Sequence, residues 1–189
     1  MSKEKKTVKE FKLPSWNEIP SIELYLDQII SLVDGYFQNL IPTDDDEPVL
    51  TKTMVNNYVK HQVIAAPVKK KYCKNSVCSL IAICILKTVY SMSDIAVLLR
   101  SAISLGTEEE TYTSFCTCIE RAVACAFSGE TFQELYPNSE YPYLMQNIAQ
   151  SFADKLYVLE YTKSLREKFA AEESAAENAK ADKSEKPTK

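Results

Sequence analysis

Seven lysines in a 46-residue stretch without a single acid are the side chains of this sequence with the clearest chemistry. From Pro48 to Ser93 the chain carries Lys52, Lys60, Lys69, Lys70, Lys71, Lys74 and Lys87 and no Asp or Glu, while the remaining residues hold 15 basic and 26 acidic groups. A segment of +7 beside a remainder of −11 makes a dipolar molecule, although the whole chain is only −4. A locally basic surface neutralises phosphates whatever the net charge, because backbone charge dominates affinity for nucleic acid. A solvated loop around Lys69-Lys70-Lys71 is the competing reading, and charge alone does not separate the two. Asn56 and Asn57 are the second candidate set. Adjacent asparagines within a helix cost stability, since their short amides compete with backbone hydrogen bonds. An amide there bonds phosphate, reads adenine bidentately in the major groove, or caps a neighbouring loop.

Other chemistries are poorly provided for. The six cysteines (73, 78, 84, 116, 118 and 125) fall mostly in apolar helical patterns. Residues 1–12 carry seven charges and no apolar run, unlike a signal peptide, so reduced thiols in a cytoplasmic chain are expected. One histidine, His61, and no Cys-x-x-Cys pair leave too few ligands for zinc or another metal. Cys116 and Cys118 stand on opposite faces of a helix, which predicts that one of them faces the core. There is no Gly-x-Gly-x-x-Gly, no phosphate-binding Gly-x-x-x-x-Gly-Lys-Ser/Thr and no nucleophile elbow, and three glycines cannot build several such loops. His61, at a helix end, has the simpler role of a favourably placed cation. Neither an enzyme nor a cofactor is expected. The longest apolar run, Leu80 to Leu86, is less than half of the ~20 residues that cross a bilayer.

The elements that would position these side chains are helices. Ser21 to Leu40 reads as an amphipathic helix with Ile22, Leu26, Ile29, Val33, Tyr36 or Phe37, and Leu40 on its stripe, followed by an acidic loop, Asp44 to Glu47. A shorter helix from Thr51 to about Val63 turns Met54, Val55, Tyr58 and Val59 inward and Lys52, Asn56, Asn57 and Lys60 largely outward. Val68 to Tyr72 suits a small β-ribbon or extended wing. Asn75 to about Tyr90 is apolar nearly all round, hence central. Ser91-x-x-Asp94 and Thr107-x-x-Glu110 are helix starts, the first for 94–103 and the second for a helix stopped by Gly129. A turn rich in aromatics and prolines leads into a long helix from about Tyr143 to Ala170. The expected organisation is a flexible N-terminus (1–12), a first domain (13–103), a second helical domain (107–170) that pairs two subunits or senses a signal, and a frayed or disordered tail (171–189).

A resemblance follows from particular runs. Thr53-Met-Val-Asn-Asn-Tyr-Val-Lys-His-Gln-Val-Ile64, Lys69-Lys-Lys-Tyr72 and Ser93-Asp-Ile-Ala-Val-Leu-Leu99 resemble the DNA-binding half of MerR-type regulators. More closely, Leu13-Pro-Ser-Trp16, Tyr25-Leu-Asp-Gln-Ile29, Thr51-Lys-Thr-Met-Val-Asn-Asn-Tyr-Val59 and Lys69-Lys-Lys-Tyr72 resemble the bacterial domain of unknown function numbered 1836, over about Leu13 to Leu99. The first resemblance implies an all-α, winged helix-turn-helix fold with a minimal β wing and a helical C-terminal domain. It sets Asn56 where those regulators carry a phosphate-gripping arginine, Asn57 and Tyr58 at their paired tyrosines, and Lys71-Tyr72 at their wing motif. Losing the arginine removes a forked, permanently charged donor. The implied function is transcriptional regulation on double-stranded DNA through Lys52, Thr53, Asn56, Asn57, Tyr58, Lys60, Lys69, Lys70, Lys71 and Tyr72. A homodimer is expected, because one short recognition helix reads few base pairs. The effector is open. The alternative is a helical protein-binding adaptor that keeps the fold without using DNA.

Overall fold

The computed structural model describes residues 11–37, 40, 48–102, 104, 106–132 and 140–184, with side chains over 143–174 in the last stretch. The order is a 3-10 turn (Trp16–Glu18), β1 (Leu24–Tyr25), α1 (Leu26–Phe37), α2 (Lys52–Lys60), β2 (Lys71–Tyr72), α3 (Lys74–Leu86), α4 (Met92–Ala102), α5 (Glu108–Ser128) and α6 (Glu140–Ser184). The described residues are all-α apart from one antiparallel pair, Leu24 opposite Tyr72 and Tyr25 opposite Lys71.

That pair overturns the expected start of the first helix. Ser21 does not cap it: residues 24–25 bond across to 71–72, α1 begins at Leu26, and Ile22 is left 70% exposed. Ile29, Val33 and Phe37 keep the 4-residue spacing of the predicted stripe and are buried. The acidic loop Asp44 to Glu47 lies outside the described residues.

α3 forms the centre because its sequence offers no polar face. Ten of its thirteen residues are buried, and it packs against α1, α4, α5 and α6. It is shorter than expected, ending at Leu86 with Lys87 as C-cap, and residues 87–90 follow in turns. Ser91 Oγ accepts the Asp94 amide at 3.3 Å, but α4 starts earlier than read, at Met92. The Thr107–Glu110 capping box forms as expected, and α5 ends at Gly129, whose φ of 76° suits a residue without Cβ.

α5 and α6 lie side by side and run in the same direction. Phe115 shares a cavity wall with Met145 and Ile148, and Phe127 meets Tyr157 ring to ring at 5.3 Å, so both helices advance together. The N-terminal segment is strapped over the pair. Phe11 packs on Phe152 at 5.7 Å, Glu120 accepts the Leu13 amide at 2.9 Å and Lys12 Nζ at 2.7 Å, and the Tyr112 hydroxyl donates to the Pro14 carbonyl at 2.9 Å. Residues 11–16 are therefore built into the fold, and one hydrophobic cluster continues across the boundary expected near 103–107.

Sandwiched between α3 and α6, α5 is covered on more than one side. Cys116 and Cys118 are both buried, against the expectation of one core-facing thiol. All six cysteines are free, and burial pushes the thiols of Cys78, Cys84 and Cys116 up to about 12. α6 also exceeds its expected span. Its backbone is helical to Ser184, a length of about 67 Å at 1.5 Å per residue, and among its described side chains, 143–174, the last buried one is Leu156. No helix among the described residues is long and apolar enough to cross a membrane.

Candidate nucleic-acid interface

Thr51 starts α2 as N-cap, its hydroxyl accepting the Met54 amide at 3.2 Å, and the chain stops being helical at His61. Gln62 then takes a left-handed φ of 56°, which ends the helix three residues before the expected Val63. Val55 and Tyr58 are buried, with Met54 and Val59 packed beside them, so the helix is pinned by one face. Lys52, Thr53, Asn56, Asn57 and Lys60 are exposed. α2 itself carries no acid. Neither asparagine side chain has a hydrogen-bond partner among the described residues.

Val68 to Lys71 form a two-residue hairpin, closed by reciprocal backbone bonds of 2.9 Å, with φ of 49° at Lys69 and 67° at Lys70. Two successive positive φ values mark the turn that matches strand twist, which asparagine and glycine fill most easily. Lysine bears the Cβ strain there, so the tip holds two exposed cations in a conformation their backbones disfavour. Lys69→Asn with Lys70→Gly is expected to stabilise the fold by about 1 kcal/mol. The measurement is the urea midpoint at constant m-value; an unchanged or lower midpoint refutes strain at the tip.

The hairpin and the first turn of α2 meet around one corner of the fold. Lys71 Nζ sits 5.2 Å from the centre of the Tyr25 ring, and two residues along the chain Asp27 pairs with Lys52 at 2.6 Å. Both members of that pair are exposed, so screening leaves it worth little, and Lys52 remains exchangeable toward another anion. Tyr25, 51% exposed, and Asp27 were assigned no role from sequence. The run Tyr25-Leu-Asp-Gln-Ile29 marks them as family residues, but the pairing that places them here is not announced by two-residue strands.

Not every expected residue reaches this surface. Tyr58 and Tyr72 are core residues, 7% and 4% exposed, and burial raises both phenols above the ordinary tyrosine value, with Cys84 adding to the effect on Tyr58. They position the helix and the ribbon rather than present a ring to a ligand. Two lysines of the basic segment are otherwise engaged: Lys74 lies 4.2 Å over the Trp16 ring, and Lys87 donates to the Val49 carbonyl with Met54 Sδ 4.0 Å away. The surface cations are thus Lys52, Lys60, Lys69, Lys70 and the half-buried Lys71. Among the described residues no three His, Cys, Asp or Glu side chains converge on a metal-sized site.

An all-α protein in which, among the described residues, one two-stranded ribbon and one polar-faced helix both border α1 is the class this geometry defines. The chain belongs to the family described as Domain of unknown function (DUF1836), whose family model matches residues 14–116. The match extends past Leu99 into α5, taking in the 3-10 turn, the ribbon and the whole of α2 to α4. No curated protein and no solved structure matches the chain.

Proposed function

We propose that the protein is a sequence-specific, DNA-binding regulator of transcription acting in the cytoplasm, with α1 and α2 as a helix-turn-helix and residues 68–72, paired to β1, as the wing of a MerR-like winged fold. The observation that carries this reading is the corner at Tyr25–Asp27, which joins the amide-bearing, acid-free face of α2 to the doubly cationic hairpin tip. In such an arrangement α2 enters the major groove while the wing neutralises flanking phosphates. Retardation of genomic fragments at low and moderate salt tests it. Preferred fragments that survive moderate salt support it; absence of any sequence preference at all salts favours a protein-binding adaptor.

Regulators of this kind pair half-sites, so a second copy is the expected partner. Past Leu156, Val158, Tyr161 and Phe169 are each more than half exposed, and with the half-buried Leu165 they recur at three- and four-residue steps on α6. This arm is the proposed seam. Wild-type chain is expected to sediment as a dimer, and Tyr161→Glu with Phe169→Glu as a folded monomer. A wild-type monomer at high concentration, with and without DNA, refutes the seam.

A further inference from the structure

Between α3, α4, α5 and the start of α6 lies a half-open cavity of about 480 Å³. Its walls are largely apolar, including Ala82, Leu98, Phe115 and Ile148, interrupted by neutral polar side chains, among them Gln62, Asn75, Ser79 and Thr111. α4 contributes in an unusual way. Only Ile95 among its side chains is buried in the core, while Leu98, Leu99 and Ala102 line the cavity instead. The cavity opens to solvent on one side, so a molecule that covers its apolar walls removes that surface from water. The volume falls within the roughly 300–1,000 Å³ of small-molecule sites and is too small for a helix of another protein. The two charged residues on the lining, Arg100 and Glu108, are exposed and of opposite sign, which favours neither anion nor cation.

We propose that this cavity binds one uncharged, predominantly apolar small molecule bearing one or two hydrogen-bonding groups, and that its occupancy is passed to α2. The second clause rests on the DNA-binding reading for its purpose but not for its geometry. Gln62 to Ala65, the segment that leaves α2, forms part of the wall, so a bound molecule touches the residue whose left-handed backbone ends that helix. Occupancy would therefore select among positions of the helix end.

Trp16, the sole tryptophan, also lines the cavity and supplies the readout. The probe is N-phenyl-1-naphthylamine, uncharged with two aryl groups and one N–H. The full chain is expected to bind one equivalent saturably, with probe fluorescence rising and Trp16 emission quenched. Ser79→Phe on α3 and Ala102→Phe on α4 fill the space from two walls and should each weaken binding by tenfold or more. Circular dichroism confirms the fold, and Ala102→Phe, in the last turn of α4, keeps the test open if Ser79→Phe fails to fold. Amide exchange across Tyr58 to Ala65 should slow at least threefold with probe bound. No saturable binding by the native chain, or equal binding by a folded filled variant, overturns the site; binding without altered exchange overturns the coupling. Neither readout uses DNA, so failure of the α2 reading would appear separately, as loss of fragment retardation with the probe result intact.

Discussion

Replacing Lys69, Lys70 and Lys71 together with alanine is expected to weaken binding to all DNA sequences alike and to flatten its salt dependence. Each phosphate contact contributes about 0.9 to the slope of log affinity against log salt. Lys69 and Lys70 are exposed at the hairpin tip, whereas Lys71 is held over Tyr25, so most of the loss falls on the first two. With two contacts gone, a fourfold rise in salt should cost the variant roughly tenfold less affinity than it costs the wild type. Alanine keeps a Cβ at the two positive φ values, so the variant isolates charge from turn strain. Anisotropy titrations across salt concentrations, with circular dichroism as control, make the measurement. Unaltered binding by a natively folded variant removes the hairpin from the interface.

The opposite signature is expected for Asn56→Ala and Asn57→Ala. These residues are adjacent on α2, about 100° apart, exposed, and flanked on the same surface by Thr53 and Lys60. A bidentate amide-to-adenine contact discriminates by ~1–3 kcal/mol, so one of the two variants should lose that much on its specific duplex and little on a scrambled one. The structure sharpens this expectation, since the amides have no described loop to cap. Tyr58→Phe serves as the comparison: its ring is buried, so its effect should fall on stability and not on discrimination. Titration of both duplexes at one fixed salt concentration decides. Equal losses on the two duplexes make the asparagines phosphate contacts, and no loss transfers base reading to Lys52, Thr53 or Lys60.

Local signals carried the helical part of the architecture. The apolar run of α3, the stripe of α5, the Thr107 capping box and the Gly129 stop involve residues within a few positions of one another; the capping box and the stop formed where the pattern put them, α3 ended at Leu86 rather than near Tyr90, and the buried face of α5 is wider than its stripe. Helix ends were less legible. The first helix loses its predicted opening turn to a long-range pairing, Leu24 with Tyr72 and Tyr25 with Lys71, because backbone bonds across strands outweigh a weak helical preference. α2 ends early for a different reason, the left-handed backbone at Gln62, which no glycine or asparagine announced.

The candidate surface divides in the same way. The groups available are legible in the residues alone: the acid-free run of lysines, the paired amides, and an amphipathic helix with those amides outward. Hydrophobic periodicity is enough for that, since it depends only on the 3.6-residue repeat. Which of these groups share a surface follows from the three-dimensional packing. It drew Lys74 onto Trp16 and Lys87 onto the Val49 carbonyl, sank Tyr58 and Tyr72 into the core, and brought Asp27 against Lys52. Among the described residues it also formed a cavity beside α4, next to the residues that end α2. These outcomes depend on packing between segments far apart in the chain. Side-chain type fixes what a residue can do, but long-range burial fixes whether it is free to do it.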